Sequence, residues 1–358
     1  MNGATTTATV TLADARALWD PEPGWLNTAS YGLPPRPGWD AMQSALDEWR
    51  HGRTSWEGWD DSTHRCRAAF ARLVGADQAD VAIGAAVSQL LAPVAAALPA
   101  GSRVVVPDIE FTSNLFPWLV HVDRGVEVVT VPLSGLLDAI DDRTTLVAVS
   151  AVQSATGEIT DLVELRGVAD RHGARVCVDA TQACGWLPVE ARYADVLVCA
   201  GYKWLMNPRG TAFAVYRREF RDSMRPLAAG WYAGDDIHSS YYGPPLRLAP
   251  DARRFDISPA WFSWVGGAPA IELLDAIGVE VVHDHNVVLA NRFRAGLELP
   301  PADSAIVSVD VPGAAERLAA AGIRAAVRDG RLRASFHVYT DIADVDLALD
   351  ALTANRGR

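Results

Sequence analysis

The chain has 358 residues, 49% of them hydrophobic and 21% charged, with a formal net charge of −12. That length suits one large domain with a smaller companion, and the composition is that of an ordinary globular protein. The acidic balance argues against nucleic acid as a partner, because phosphate backbones call for clustered Lys and Arg, and no apolar run reaches the ~18 residues that span a bilayer.

In chain order, the opening "MNGATTTATVTLADARALWD" lacks the basic region and apolar core of a secretory signal, so a cytoplasmic location is expected. From about residue 60 to 215, short β-branched runs alternate with helical patterns. "RVVVPD", "VEVVTVPL", "TTLVAVSAV", "ARVCVDA", "ADVLVCAG" and "GTAFAVYR" read as buried strands. "SQLLAPVAAAL" and "DLVELRGVADRHG" read as helices, the second closed by a glycine. The alternation predicts an α/β fold: a mainly parallel central sheet with helices on both faces, and a ligand beyond the carboxyl ends of its strands. Residues 220–265, rich in Gly, Pro, Tyr and Trp, read as long loops of the kind found at sites or interfaces. From about 268 one helix is expected, then the strand "SAIVSVDV", the helix "GAAERLAAAGI" and a strand around "RLRASFHV", a small α+β domain. The expected division is a large cofactor-binding domain over 20–265 and a small domain made of 1–19 and 266–358.

Two of the strand-like runs end in isolated ionisable residues, Asp179 and Lys203. A lone carboxylate in a pocket suits a protonated heteroaromatic nitrogen, and a Lys in apolar surroundings can lose its proton and form a Schiff base with a carbonyl. Together they fit pyridoxal phosphate. Cys66, Cys177, Cys184 and Cys199 form no CxxC pair. His283 and His285 in "HDH" point apart on a helix and are expected on a solvated face, so no metal is expected. No GxGxxG follows the first strands and no GxxxxGK[ST] occurs, which leaves dinucleotide and P-loop readings unsupported.

"VDATQACG" and "GYKWLMNPRG" resemble the Asp-x-x-Gln motif and the lysine loop of the class V aminotransferases, a family of fold-type I pyridoxal phosphate enzymes. The family includes cysteine desulfurases, kynureninases, isopenicillin N epimerase-like proteins and ergothioneine-type C–S lyases. The resemblance runs from "LNTASYG" to "LRASFHVYTDIADVD". It implies that Asp179 pairs with the ring nitrogen, Gln182 bonds the ring hydroxyl oxygen and Lys203 is the catalytic Schiff-base lysine. Phe111 in "DIEFTSNLFPW" would stack on the ring. Ala86, Val87 and Ser88 would hold the phosphate, with Tyr202 and Ser154 as further cofactor contacts. Arg333 would grip the substrate α-carboxylate, with Arg331 as a rival on the same strand face. Thr28, Ala29 and Tyr31, on a strand, would border the substrate. Ser258 and Trp261 would reach a neighbouring subunit's cofactor, making the active site a property of a homodimer.

A desulfurase needs a nucleophilic Cys on a loop before the carboxylate Arg, and "GIRAAVRDGRLRAS" has none, so cysteine desulfurase is not expected. The expected reaction is β-elimination from a cysteine S-conjugate, for which Lys203 suffices, and "KW" and "PRG" are shared with the ergothioneine-type lyases. Tyr31, Trp56, Trp59, Trp231 and Tyr232 are available to enclose a bulky substituent. Transamination is the alternative; epimerisation and a non-catalytic cofactor-binding role stand behind it.

Overall fold

The computed structural model describes residues 10–353. Seven strands form the main sheet: β1 (Val81–Gly84), β2 (Arg103–Pro107), β3 (Glu127–Val131), β4 (Thr144–Ser150), β5 (Arg175–Asp179), β6 (Val196–Ala200) and β7 (Ala212–Tyr216). Their order is β1-β7-β6-β5-β4-β2-β3. The pairs from β3 through β6 are parallel, while β7 runs antiparallel to β6 and β1 antiparallel to β7. This is the expected α/β architecture, with β1 as an additional short strand that the sequence pattern did not reveal.

The period of two is visible in how the strands feed two cores. Val147, Val149, Val176, Val178 and Leu197 pack on one face. Leu146, Ala148, Cys177, Val196 and Val198 pack on the other. Each such side chain contributes roughly 1.5–3 kcal/mol relative to exposure, so the central strands anchor the domain. The predicted helix after β4 spans Leu162–His172, with Asp161 accepting the N–H groups of Val163 and Glu164 and Gly173 closing it at φ 68°.

A second sheet has the order β8-β10-β9, with β8 at Ile306–Val309, β9 at Ala326–Arg328 and β10 at Arg331–Ser335, all antiparallel. The N-terminal segment joins it through bridges from Trp25 to Arg324 and Asn27 to Ser335. A few residues later Gly32 N–H donates to the Tyr202 carbonyl at 3.0 Å, so one short segment touches both sheets' functional ends. The single helix expected from 268 is two, Trp261–Ile277 and Val279–Gly296, because Gly278 at φ 91° and ψ 132° leaves helical geometry. Apart from the start of the Trp261–Ile277 helix, the 220–265 stretch holds short helical turns and one isolated bridge, Gly234 to Leu248, and is pinned by the buried pair Arg67–Asp256, 2.5 Å apart, with Ile83 N–H donating to the same carboxylate.

Candidate active site

The carboxyl ends of β4, β5 and β6 open into a cleft of about 590 Å³ lined by Asp179, Gln182, Lys203, Phe111, Ser154 and Tyr202, among others. A larger hollow of about 1020 Å³ beside Trp19, Trp25 and Trp39 holds only exposed ionisable groups, so the chemistry concentrates in the smaller cleft.

Asp179 ends β5 and is 4% exposed; its Oδ1 accepts the Thr181 N–H at 2.9 Å. Burial pushes its carboxyl pKa up, against the opposing pull of the Thr181 hydrogen bonds and the Lys203 charge. Lys203 follows β6 in a turn and is 6% exposed. Burial brings its amine down to about 8, with the Arg333 and Arg328 charges adding to the fall and Asp179 opposing it. The Phe111 ring centroid lies 5.3 Å from Lys203 Nζ, and that ring stays 45% exposed at the cleft wall, an uncovered flat face. Beneath it the buried Glu110 binds the N–H groups of Phe111 and Ser150, the Ser150 hydroxyl and the Gln153 amide. Burial raises its pKa as well, with Asp179 adding to the rise.

The lysine turn is held from several sides. His337 Nε2 donates to the Trp204 carbonyl at 2.9 Å; burial drops this imidazole to about 3, so it stays neutral. Met206 N–H donates to the Lys203 carbonyl at 3.1 Å, with Met206 at φ 57°. Trp204 Nε1 donates to Gln182 Oε1 at 2.8 Å, which turns the Gln182 amide nitrogen toward Ala29 O and Ser154 Oγ, both at 3.0 Å. Arg333, in β10, is 1% exposed, and its Nη1 donates to Ser154 O and Oγ while Nη2 donates to Ser30 Oγ at 2.7 Å. Among the described residues, no carboxylate joins these bonds. Burial, with Arg328 nearby, lowers the Arg333 pKa to about 10.

Of the predicted residues, Ala86, Val87, Phe111, Ser154, Asp179, Gln182, Tyr202 and Lys203 are brought together, with Arg333 reaching in through Ser154. Ala86 caps the N-terminus of the helix Val87–Ala97, whose first N–H groups have no intrahelical partners. Ser88 and Thr28 stand elsewhere than expected. Ser88 lies on the outer side of that helix, bordering a hollow with Ala92 and Phe116, and Ala85 and Ser113 line the cleft instead. Thr28 is fully buried and shares a 2.6 Å hydrogen bond with Tyr339, because the extended chain stops at Asn27 and turns, delivering Ser30 to Arg333. Ala29 contributes its carbonyl to Gln182, and Tyr31 packs against Tyr202 at 5.7 Å. Ser258, expected to reach a neighbouring subunit's cofactor, borders a separate hollow with Gly84 and Gly210 within the single chain. Arg331 and Arg333 share a strand, but Arg331 is exposed and turns to Ser308.

His283 stacks on Trp186 at 5.8 Å and His285 Nε2 donates to the Thr340 carbonyl at 3.1 Å, so both histidines of "HDH" are packed rather than solvated. Trp56, Trp231 and Trp261 cluster together away from the cleft. Sequence reasoning missed Glu110, Ser30, Thr181, Arg209 and Arg328. Arg209, whose guanidinium sits 4.5 Å over the Tyr202 ring, carried a signal in the quoted "NPRG".

Residues 57–318 match the family described as Aminotransferase class-V. The chain is 30% identical over 336 residues to an uncharacterized aminotransferase, YcbU, of Bacillus subtilis, covering 88% of this chain and 89% of that one. It is 27% identical to a probable cysteine desulfurase of Pyrococcus abyssi, over 70% of this chain and 72% of the relative. A solved complex of the cystine C–S lyase C-DES with cysteine persulfide superposes with a TM-score of 0.84 at 20% identity, covering 92% and 97% of the two chains. These findings overturn the expectation that cysteine desulfurase is excluded: relatives bearing that name align over most of the chain, and the absence of Cys from one short loop does not outweigh them.

Proposed function

The chain belongs to the class-V aminotransferase family, whose cofactor is pyridoxal phosphate, and from that premise we propose that it cleaves the bond between Cβ and sulfur in a cysteine-derived α-amino acid. When bound, the cofactor supplies an electron sink that makes the substrate Cα–H acidic. The cleft's own groups fit it: a buried carboxylate for the ring nitrogen, an amine for the aldehyde, an uncovered ring face and a helix N-terminus for phosphate.

Asp179 holds the protonated nitrogen, its charge favoured there by the cation it meets. Phe111 covers one ring face, and the Ala86–Val87 N–H groups take the phosphate with Tyr202 and Arg209 beside them. Ser154, which already accepts from Gln182 and Arg333, keeps its own hydroxyl proton to offer the ring oxygen. Arg333 grips the α-carboxylate with its fork and so sets which Cα bond faces Lys203. The Lys203 amine, neutral in a large fraction near pH 8, takes the Cα proton at Nζ, and elimination needs no further base.

The observation that carries this reading is one cleft joining a buried carboxylate and a buried amine of lowered pKa, with a buried guanidinium held against its Ser154 that, among the described residues, bonds only hydroxyl and carbonyl oxygens. The names of the C–S lyase and the desulfurase relatives support sulfur chemistry. Transamination is the second reading, supported by the name of the Bacillus relative. A homodimer with the site at the subunit boundary belongs to the proposal, supported by the strongly exposed Tyr242 and Leu246 on the long loops.

The test is to incubate the cofactor-loaded protein, its cofactor fixable at Lys203 by borohydride, with S-substituted cysteines and cysteine, without keto acid. Pyruvate and ammonia mark elimination, and alanine with released sulfur marks desulfuration. Loss of cofactor colour restored only by a keto acid marks transamination and refutes carbon–sulfur cleavage.

A further inference from the structure

Two guanidinium groups share one hydroxyl next to the cleft, which the inner of them reaches through Ser154. Arg333 Nη2 donates to Ser30 Oγ at 2.7 Å from inside, and Arg328 Nη2 donates to the same oxygen at 3.2 Å from the exposed side. The sequence builds the outer arm with a hairpin. β9 ends at Arg328 and β10 begins at Arg331, joined by Asp329 at φ 48° and Gly330 at φ 71°. That left-handed pair is the two-residue turn that Asp-Gly favours. The register sets Arg328 directly opposite Arg331, yet Arg331 turns to Ser308 while Arg328 turns to Ser30.

Among the described residues, the bonds of Arg328 go only to the Val327 carbonyl and to Ser30, and those of Arg333 only to Ser154 and Ser30. The Arg328 charge is felt by both Arg333 and Lys203. Like charges gathered on a neutral hydroxyl, in a chain with 44 acidic residues that could have paired them, are unfavourable until anions arrive. The substrate α-carboxylate answers Arg333, whose buried fork suits it. Arg328 is left without a counterpart.

We propose that Arg328 is a specificity-determining residue that reads a second anionic group on the substrate, an α-amino acid carrying a carboxylate or sulfur oxyanion on its side chain. This rests on the cleft being an amino-acid site and names the substrate class of that site. The inner arginine takes the α-carboxylate and the outer one the side-chain anion, which lies toward solvent. Because Arg328 is exposed, its attraction is modest and screened by salt, and it sorts substrates more than it anchors them.

The test titrates the cofactor-loaded enzyme with pairs differing in that charge, reading binding from the change in cofactor absorbance. The pairs are S-carboxymethylcysteine and its side-chain amide, aspartate and asparagine, glutamate and glutamine, and cysteine sulfinate and S-methylcysteine. The acidic member is expected to bind about tenfold tighter at low ionic strength, a preference that shrinks with salt. R328Q removes the preference, whereas R331Q, at the facing position, keeps it. Preference confined to the carboxylates, or to the sulfinate, identifies which anion is read. Equal binding within every pair, or a preference that survives R328Q, overturns the proposal. Aspartate and glutamate bind without any carbon–sulfur bond to break, so this readout stands even where the cleavage reading fails. An enzyme that cleaves S-methylcysteine but ignores charge sinks only the role of Arg328.

Discussion

Replacing Gly32 with alanine is expected to disable the enzyme from a position that carries no functional group. A Cβ at residue 32 would sit 1.9 Å from the Lys203 carbonyl oxygen, and 3.1 Å from both Lys203 C and Met206 Cα. Carbon and oxygen in contact need about 3.3 Å, so the lysine turn must retreat by more than ~1 Å. All three obstacles are main-chain atoms, and no side-chain rotation relieves them. The turn is itself fixed by His337 on Trp204 O and by Met206 N–H on Lys203 O. Overpacking of this kind costs about 1–3 kcal/mol. A misplacement of ~1 Å at the reacting amine lowers the rate roughly 100-fold. The assay compares kcat on an S-substituted cysteine, borohydride fixation of cofactor and thermal midpoint for wild type and G32A. The control is G58A, since nothing lies within 4 Å of a Cβ there and helix propensity favours the change. A G32A enzyme with a rate within about twofold of wild type and an unmoved midpoint would refute the close packing of this glycine on the lysine turn.

Cofactor capture by the cofactor-free protein should accelerate as pH rises through about 8, since burial lowers the Lys203 pKa to that value and only the neutral amine attacks. Below it the protonated form prevails and capture slows; stopped-flow absorbance showing a midpoint near the ordinary lysine value of about 10.4 would contradict this. D179N keeps an acceptor for the Thr181 N–H but removes the charge, so we expect a folded protein whose turnover falls about 10²–10³-fold, checked by kcat and circular dichroism. R67M leaves Asp256 buried without its partner and should cost about 3–5 kcal/mol in denaturant unfolding, much of it regained in R67M/D256L.

The main sheet was legible because buried parallel strands write themselves as continuous β-branched runs, and Asp179 and Lys203 stood out by interrupting two of them. β1 and β9, four and three residues long, are too short to leave such a trace. Thr28 was expected at the substrate and Ser30 was missed because a turn at Asn27 redirects the chain, and no local spacing announces it. Glu110 stands within "DIEFTSNLFPW", yet its partners Ser150 and Gln153 lie 40 and 43 residues away, beyond any local pattern. The split at Gly278 shows the converse: the glycine was in view, but the strong apolar pattern on both sides concealed it.

Arg328 ends the edge strand β9 at a hairpin tip, while Arg333 stands in the middle strand between the buried Leu332 and Ala334. Tips of this sort tolerate lengthening or trimming at small cost, whereas the middle strand is locked by its core. On the proposed reading of Arg328, descendants of this chain could exchange the acid they accept by changes at this tip, leaving the Lys203 centre as inherited.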